Sequence, residues 1–219
     1  MIRSARPRRA ERGQGLVEFA MVVPVALLML LGMLDFGFAL DHSATVGNAT
    51  REGARMGSSL VNGGGGLGCT AGNSPDAADV DPRIVAAVQR ILAAPGARIV
   101  MADVTEIRIF KATTTGTETA GLVNVWTYSA TGTNTVDGHV DFVPSGAQPW
   151  TACSRSFVWT TCGSPPAGLL QCPPDSIGVG VKYNYHFVTP LSAAMGFFGG
   201  GGPASIPLAE RAVMAMNPN

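Results

Sequence analysis

Hydrophobic and polar residues follow different patterns in successive parts of the chain. Residues 16–40 form an almost unbroken apolar run, in which only Glu18 and Asp35 carry charge. Residues 41–59 contain no proline and keep small side chains at helical spacing. We therefore predict one long helix from about Gly15 to about Ser59. Downstream, apolar residues recur with a period of two, which is typical of β-strands.

The apolar run is long enough to cross a bilayer. A helix rises about 1.5 Å per residue, so Glu18 and Asp35 lie about 25 Å apart along its axis, near the two edges of a hydrocarbon core about 30 Å thick. Five arginines precede the run, against the single acid Glu11: Arg3, Arg6, Arg8, Arg9 and Arg12. Positive charge on one flank predicts that this flank stays in the cytoplasm.

The apolar run has two alternative interpretations. A cleaved secretory signal would use Gly37-Phe38-Ala39 as its small-x-small site, but its apolar stretch is normally only about 7–15 residues long. A buried core helix would leave five arginines beside an all-round apolar surface, where they are hard to solvate. The length and charge of the run favour a retained membrane span.

The predicted organisation has four parts, and its fold class is α+β. They are a basic cytoplasmic leader (1–13), a transmembrane helix (14–40), its extramembrane continuation (41–60) and an exported domain (61–219). In the exported domain Asp81 is a predicted N-cap, Pro82 suits the first helical position, and Pro95-Gly96 ends this second helix. An antiparallel sheet is predicted from four alternating segments: Val104–Phe110, Leu122–Tyr128, Ile177–Val188 and Ile206–Met216.

Small residues in the extramembrane continuation lie on one side of the predicted helix: Val46, Ala49, Gly53 and Gly57. A glycine inside a helix costs about 1 kcal/mol relative to alanine. That cost is tolerable where another element packs closely, so we expect a close contact on this side.

All four cysteines fall in the predicted exported part: Cys69, Cys153, Cys162 and Cys172. An even number in an oxidising compartment favours disulfides, with three connectivities open. Three of the four lie in an irregular stretch, residues 129–176, which a cross-link would help to order. Zinc is the alternative, but no C-x-x-C motif is present and the three histidines are scattered. We predict no metal and no cofactor.

Charge and motifs exclude two broad functional classes. From Asp41 onward the chain has 12 acidic and 10 basic side chains, so it lacks the basic surface that nucleic-acid binding requires. It contains no Gly-x-Ser-x-Gly, His-Glu-x-x-His or P-loop motif. We therefore predict that the protein is not an enzyme and does not bind nucleic acid.

The segment Arg12–Ala20 resembles the processing region of type IV prepilins. It has a basic leader, a glycine, an acid five residues later and an aromatic residue beside that acid. The resemblance implies a prepilin peptidase that cuts after Gly13, which leaves Gln14 as the new N-terminus and Glu18 as the fifth mature residue, followed by Phe19.

A longer part of the N-terminus resembles the TadE-like family, minor pilins or pseudopilins of the tight-adherence (Tad) secretion system. The matching segments are Gly13-Gln14, Val17–Ala20, Pro24, Asp35–Gly37 and Thr50–Arg55. The resemblance implies a structural subunit in the bacterial inner membrane or in a surface pilus used for adhesion. Its partners would be other pilin subunits, the Tad assembly machinery and the lipid bilayer. The alternative is a membrane-tethered envelope module that binds a ligand and never enters a filament.

Four positions in this helix have two interpretations each. Glu18 sets the register between subunits by pairing with a freed α-amino group, or it reaches the lipid headgroups. Pro24 bends the span or is a tolerated membrane proline. Asp35 pairs with a partner cation or marks the outer water interface. Arg55, with its neighbours Arg51 and Glu52, binds another subunit or forms an ordinary solvated face.

Overall fold

A computed structural model of the protein describes residues 11–60, 77–132, 141–156, 160–161, 171–190 and 205–216. These residues form an α+β fold with a long apolar N-terminal helix, a second helix and a five-stranded antiparallel sheet, which confirms the predicted fold class. The chain divides into two compact units. One comprises residues 1–40 and 186–206, and the other comprises residues 41–185 and 207–219.

The first helix, α1, runs from Glu11 to Ser59, as the apolar run and the following small residues predicted. It is continuous through Pro24, which removes one backbone hydrogen bond without ending the helix. The predicted stop at 62–66 lies outside the described residues.

The second helix, α2, runs from Ala77 to Leu92. Its end agrees with the stop at Pro95-Gly96, where Gly96 adopts a φ of 93°. The prediction that Asp81 caps its start is wrong, because the helix begins four residues earlier. Asp81 lies inside the helix, and its carboxylate accepts hydrogen bonds from the side chains of Asn124 and Arg155.

The sheet contains every predicted strand and one that the sequence did not reveal. The strands of the structure are β1 (Val104–Ala112), β2 (Glu118–Tyr128), β3 (Phe142–Pro144), β4 (Thr160–Thr161), β5 (Gln171–Cys172), β6 (Ser176–His186) and β7 (Ser205–Ala215). The main sheet has the order β3-β2-β1-β6-β7, while β4 and β5 form a separate small hairpin. β3 was not predicted, since it is short and lies in the stretch assigned as irregular.

The core of the second unit lies between the helices and one face of β6. As the alternation predicted, Ile177, Val179, Val181, Tyr183 and Tyr185 are all buried. Gly53 and Gly57 of α1 face this surface and α2. A Cβ added at Gly53 would lie 2.5 Å from Val88 Cγ2 and 3.1 Å from Val179 Cγ1. The expected close contact on the small-residue side of the helix is therefore confirmed.

Alanine substitutions at two glycines of α1 are expected to have opposite effects. At Gly47 an added Cβ meets nothing within 4 Å, so Gly47→Ala should gain up to about 1 kcal/mol from helix propensity. At Gly53 the same methyl group collides with β-branched side chains, whose χ1 angles are stiff, and overpacking costs about 1–3 kcal/mol. Thermal unfolding of both variants in detergent micelles tests this. Equal melting temperatures would contradict the close contact.

Candidate functional site

The surface of α1 between Leu16 and Leu40 is predominantly apolar. Thirteen large hydrophobic side chains between Leu16 and Leu40 are exposed, from 47% at Leu34 to 74% at Met33. Soluble proteins do not leave a continuous apolar surface of this length in water. The helix is long and apolar enough to span a membrane. It is therefore suited to contact with lipid or with other apolar helices.

The predicted processing and assembly residues lie at the start of this helix. Gly13, Gln14, Glu18 and Phe19 are all exposed, and Phe19 is 66% exposed. The Gln14 side-chain amide donates a hydrogen bond of 3.1 Å to Glu18 Oε1, one helical turn away. This contact involves a neutral donor and leaves the charge of the carboxylate unbalanced within the pair. Pro24 is also exposed on the apolar helix.

Asp35, the second carboxylate of the apolar helix, lies in a different environment. It is only 2% exposed. Its Oδ1 accepts hydrogen bonds from the backbone N–H groups of Val188 (3.1 Å) and Thr189 (3.2 Å), and its Oδ2 accepts a short one from the Thr189 hydroxyl. We call this arrangement the Asp35 clasp. Neutral donors of the same chain thus contact Asp35, which neither sequence interpretation anticipated.

His42 begins the part of α1 that packs in the second unit. It is 5% exposed and contacts Tyr183 and Tyr185 edge-to-face, with ring centroids 5.5 and 5.1 Å away. Its Nδ1 has no hydrogen-bond partner in the described part of the chain. Burial lowers the pKa of His42; Arg98 lowers it further, while Asp41 opposes the shift. The histidine therefore resists protonation in the folded state.

Mild acid is expected to destabilise the second unit through His42. The unfolded chain binds the proton more tightly, at a pKa of 6.5, so the free energy of unfolding should fall as the pH drops below 6.5 towards the lower folded pKa. His42→Phe keeps the aromatic contacts and removes this proton. Denaturation of both proteins between about pH 5 and 8 measures the effect. Parallel stability curves for the two would contradict it.

A buried polar cluster connects α2 to β2 and to the loop before β4. The Arg155 side chain is fully buried, and its Nη2 lies 2.5 Å from Asp81 Oδ1. Asn124 of β2 donates hydrogen bonds to Asp81 Oδ2 (2.6 Å) and to the Trp150 carbonyl (2.8 Å). The Arg155 guanidinium also lies 4.5 Å from the centre of the Trp150 ring. No local sequence pattern marks this cluster, because its members lie far apart in the chain.

The cysteines are only partly within the described residues. Cys153 is disulfide-bonded and lies in the short 3₁₀ helix Ala152–Ser154. The backbone of Cys172 lies in β5, while Cys69 and Cys162 lie outside the described residues. Among the described residues, no group of three or more His, Cys, Asp or Glu side chains could hold a metal ion.

Two charged residues near the end of α1 form a local pair. Arg55 donates to Glu52 one turn earlier, at 2.6 and 2.9 Å, and its side chain is 68% exposed. An exposed pair at this spacing contributes only a few tenths of a kcal/mol. This geometry is that of a solvated helix face.

Comparison with known proteins identifies the N-terminal helix. The family model described as TadE-like protein matches residues 13–55, a range that begins at Gly13 and includes Glu18 and Asp35. No curated protein and no solved structure matches the chain. The match confirms the resemblance seen in the sequence. Residues 13–55 are therefore similar to the TadE-like family, and this similarity supports a Tad pilus-associated protein.

Proposed function

We propose that the protein is a minor pilin or pseudopilin of a Tad-type pilus, a structural subunit that assembles through α1 and supports adhesion and surface colonisation. The observation that carries the proposal is the exposed apolar surface between Leu16 and Leu40. Lipid covers such a surface before assembly, and the apolar helices of other subunits cover it in a filament. In this arrangement residues 1–13 lie in the cytoplasm, residues 14–40 cross the inner membrane, and residues 41–60 and 61–219 lie outside.

Glu18 is proposed as the residue that sets the register between subunits. Its neighbour Gln14 supplies only a neutral donor, so a charge in apolar surroundings still requires a cation. The α-amino group of a processed neighbouring subunit supplies one. Prepilin peptidase would create that group by cutting between Gly13 and Gln14. Partners would also include the Tad assembly machinery.

A disulfide is proposed to order the loop over residues 129–176. The bonded state of Cys153 and its position beside Arg155 support a cross-link here, either to Cys162 or Cys172 or to Cys69. A link of this kind lowers the entropy of the unfolded loop.

The test combines processing and assembly in the native host. Wild-type protein is expected in filaments sheared from the cell surface, with Gln14 as its first residue. Gly13→Leu should leave the full-length precursor in the membrane. A Cβ added at Gly13 meets nothing within 4 Å, so a defect would come from processing rather than folding. Gly15→Leu, at an equally open position, is the matched control for processing.

Three other outcomes would each remove part of the proposal. Wild-type protein that is processed but found only in the membrane fraction would indicate a tethered envelope module. Glu18→Gln and Glu18→Ala variants that enter filaments at the wild-type level would remove the register role. A first residue at Leu40 would show cleavage after Ala39 and overturn the membrane anchor.

A further inference from the structure

The main sheet has one long open edge. β7 is an edge strand of 11 residues, and no other described strand pairs with its outer side. At the opposite edge, β3 has only 3 residues and ends at Pro144, which has no N–H to donate. The backbone N–H and C=O groups along an open edge are a template for pairing with another chain. β7 is therefore the place where a further strand would extend the sheet.

The contact with β6 shows which backbone groups of β7 face outward. The Met216 N–H donates to the Asp175 carbonyl at 3.0 Å, so the backbone of Met216 points towards β6. Backbone groups of successive strand residues point to alternate sides, so the odd-numbered residues of β7 point to the open edge. Pro207 is one of them, and a proline on an edge strand has its missing N–H on the solvent side. The donors left at the edge are the N–H groups of Ala209, Arg211, Val213 and Ala215.

The two faces of β7 carry different side chains. Glu210 accepts a hydrogen bond of 2.7 Å from the Ser43 hydroxyl of α1, so the even-numbered side chains face the helices. The others in this row are apolar, and Leu208, Ala212 and Met214 are only half-buried. The odd-numbered side chains lie on the opposite face and are exposed. A strand added beside β7 would cover the half-buried row if its own helix-side residues were apolar.

Arg211 sets the charge that a partner needs on the other face. Arg108 and Lys182 lie on this face as well, and each is paired with a glutamate of the sheet. Arg211 lines the same cleft of about 380 Å³, but it has no ion pair with any described residue. Opposite charges on facing residues of neighbouring strands stabilise a sheet, and like charges destabilise it. An acidic side chain opposite Arg211 would therefore stabilise the added strand.

A second copy of β7 does not meet these requirements. Its odd-numbered residues include no acid, so none would lie opposite Arg211. The direction of α1 is a further obstacle. His42 contacts Tyr185 while Gly57 faces Ile177, so α1 runs antiparallel to β6. Antiparallel pairing of two β7 strands would point the two α1 helices in opposite directions, which two copies anchored in one bilayer cannot adopt.

We propose that β7 binds an extended segment of another protein, which adds to the sheet as an antiparallel strand beside residues 207–215. The side chains of this segment alternate, with apolar residues on the helix side and an aspartate or glutamate opposite Arg211. Main-chain hydrogen bonds to the four edge N–H groups supply affinity, and the alternate side chains supply specificity. The proposal does not depend on assembly into a filament.

Two synthetic peptides test the charge requirement on the full chain in nanodiscs of neutral lipid. The acidic peptide is Ser-Val-Thr-Val-Glu-Val-Thr-Val-Ser with blocked ends, and the basic peptide has lysine in place of the glutamate. By fluorescence polarisation, wild type is expected to bind the acidic peptide about three- to tenfold more tightly, since the pair with Arg211 changes from attractive to repulsive. Arg211→Glu should reverse this preference. Arg51→Glu, which changes an exposed arginine of α1, should keep it.

Two methylated forms of the acidic peptide test strand addition itself. In the proposed pairing the N–H groups of its two threonines point to β7, and those of the two central valines point away. N-methylation of the threonines should weaken binding at least about tenfold, because two backbone hydrogen bonds are lost. N-methylation of the valines should leave binding within about threefold of the unmodified peptide, since those groups bond only to water.

Three results would each overturn the proposal. Wild type that binds neither the acidic nor the basic peptide at about 100 μM protein would show that Pro207 and Arg211 only protect the edge from aggregation. An unchanged preference in Arg211→Glu would remove the charge requirement. Equal binding of the two methylated peptides would show attachment without strand pairing. The methylated peptides leave the protein unaltered, so this comparison remains decisive even if Arg211→Glu fails to fold.

Discussion

Arg155→Met is expected to lower the free energy of unfolding by about 3–5 kcal/mol, the usual cost of breaking a buried ion pair from one side. The Arg155 side chain is fully buried, and the side chain of its partner Asp81 is 13% exposed. Removing the guanidinium leaves that carboxylate with the Asn124 amide as its remaining partner among the contacts described above. The contact between the guanidinium and the Trp150 ring is lost as well. Chemical denaturation of the full chain in detergent micelles, followed by tryptophan fluorescence, measures the change.

Two further variants show whether the loss of stability comes from the buried Arg155–Asp81 pair or from the loss of any arginine charge. Arg55→Met breaks the exposed pair with Glu52 and should cost no more than about 0.5 kcal/mol. Arg155→Met combined with Asp81→Asn removes both buried charges, and we expect it to recover much of the lost stability. If Arg155→Met cost no more than Arg55→Met, the buried cluster would not stabilise the fold.

Local sequence patterns were sufficient for the helices and for the long strands. α1 was predicted because an apolar run and a stripe of small residues continue one helical period without a break. β6 was predicted because its alternate residues from Ile177 to Tyr185 are apolar, and these are the residues that the structure buries. In both elements the pattern of apolar residues extends over many positions, so a single residue that departs from it does not change the prediction.

Elements held by contacts between distant residues were not predicted. β3 has only three residues, and the residue before it, Asp141, exchanges two hydrogen bonds of 2.9 Å with Gln89 of α2. Asp81 looked like a helix cap because aspartate before proline is a common local signal. Its observed partners, Asn124 and Arg155, lie 43 and 74 residues away. No local period encodes contacts over that distance.

Local sequence also fails to distinguish the two acids of the apolar helix, which belong to the candidate site. In the sequence, Glu18 and Asp35 are equivalent interruptions of one hydrophobic run. In the structure, Asp35 is buried under three hydrogen bonds from residues 188–189, while Glu18 is exposed and contacts one neutral amide. The chain itself therefore supplies donors for Asp35. This difference supports Glu18 as the acid that pairs with another subunit.

Asp35→Ala is expected to release the segment that follows β6. The substitution removes the acceptor for two backbone N–H groups and one hydroxyl, and a hydrogen bond to a charged group contributes about 1.5–3 kcal/mol. Hydrogen exchange at the amides of Val188 and Thr189 should accelerate by about 10- to 100-fold, the factor that about 1.4–2.8 kcal/mol of local opening produces. Exchange measured by mass spectrometry on the full chain in lipid nanodiscs reports this directly.

Three matched variants show whether the clasp works through hydrogen bonds or through charge. Asp35→Asn keeps one carbonyl oxygen for the two backbone N–H groups, so most of the protection should remain. Thr189→Val removes only the hydroxyl bond, and its effect combined with Asp35→Ala should be less than additive, since both changes remove that bond. Glu18→Gln removes a charge from the same helix and should leave exchange at residues 188–189 unchanged. Unaltered exchange in Asp35→Ala, or equal acceleration in Glu18→Gln, would show that the clasp does not hold this segment.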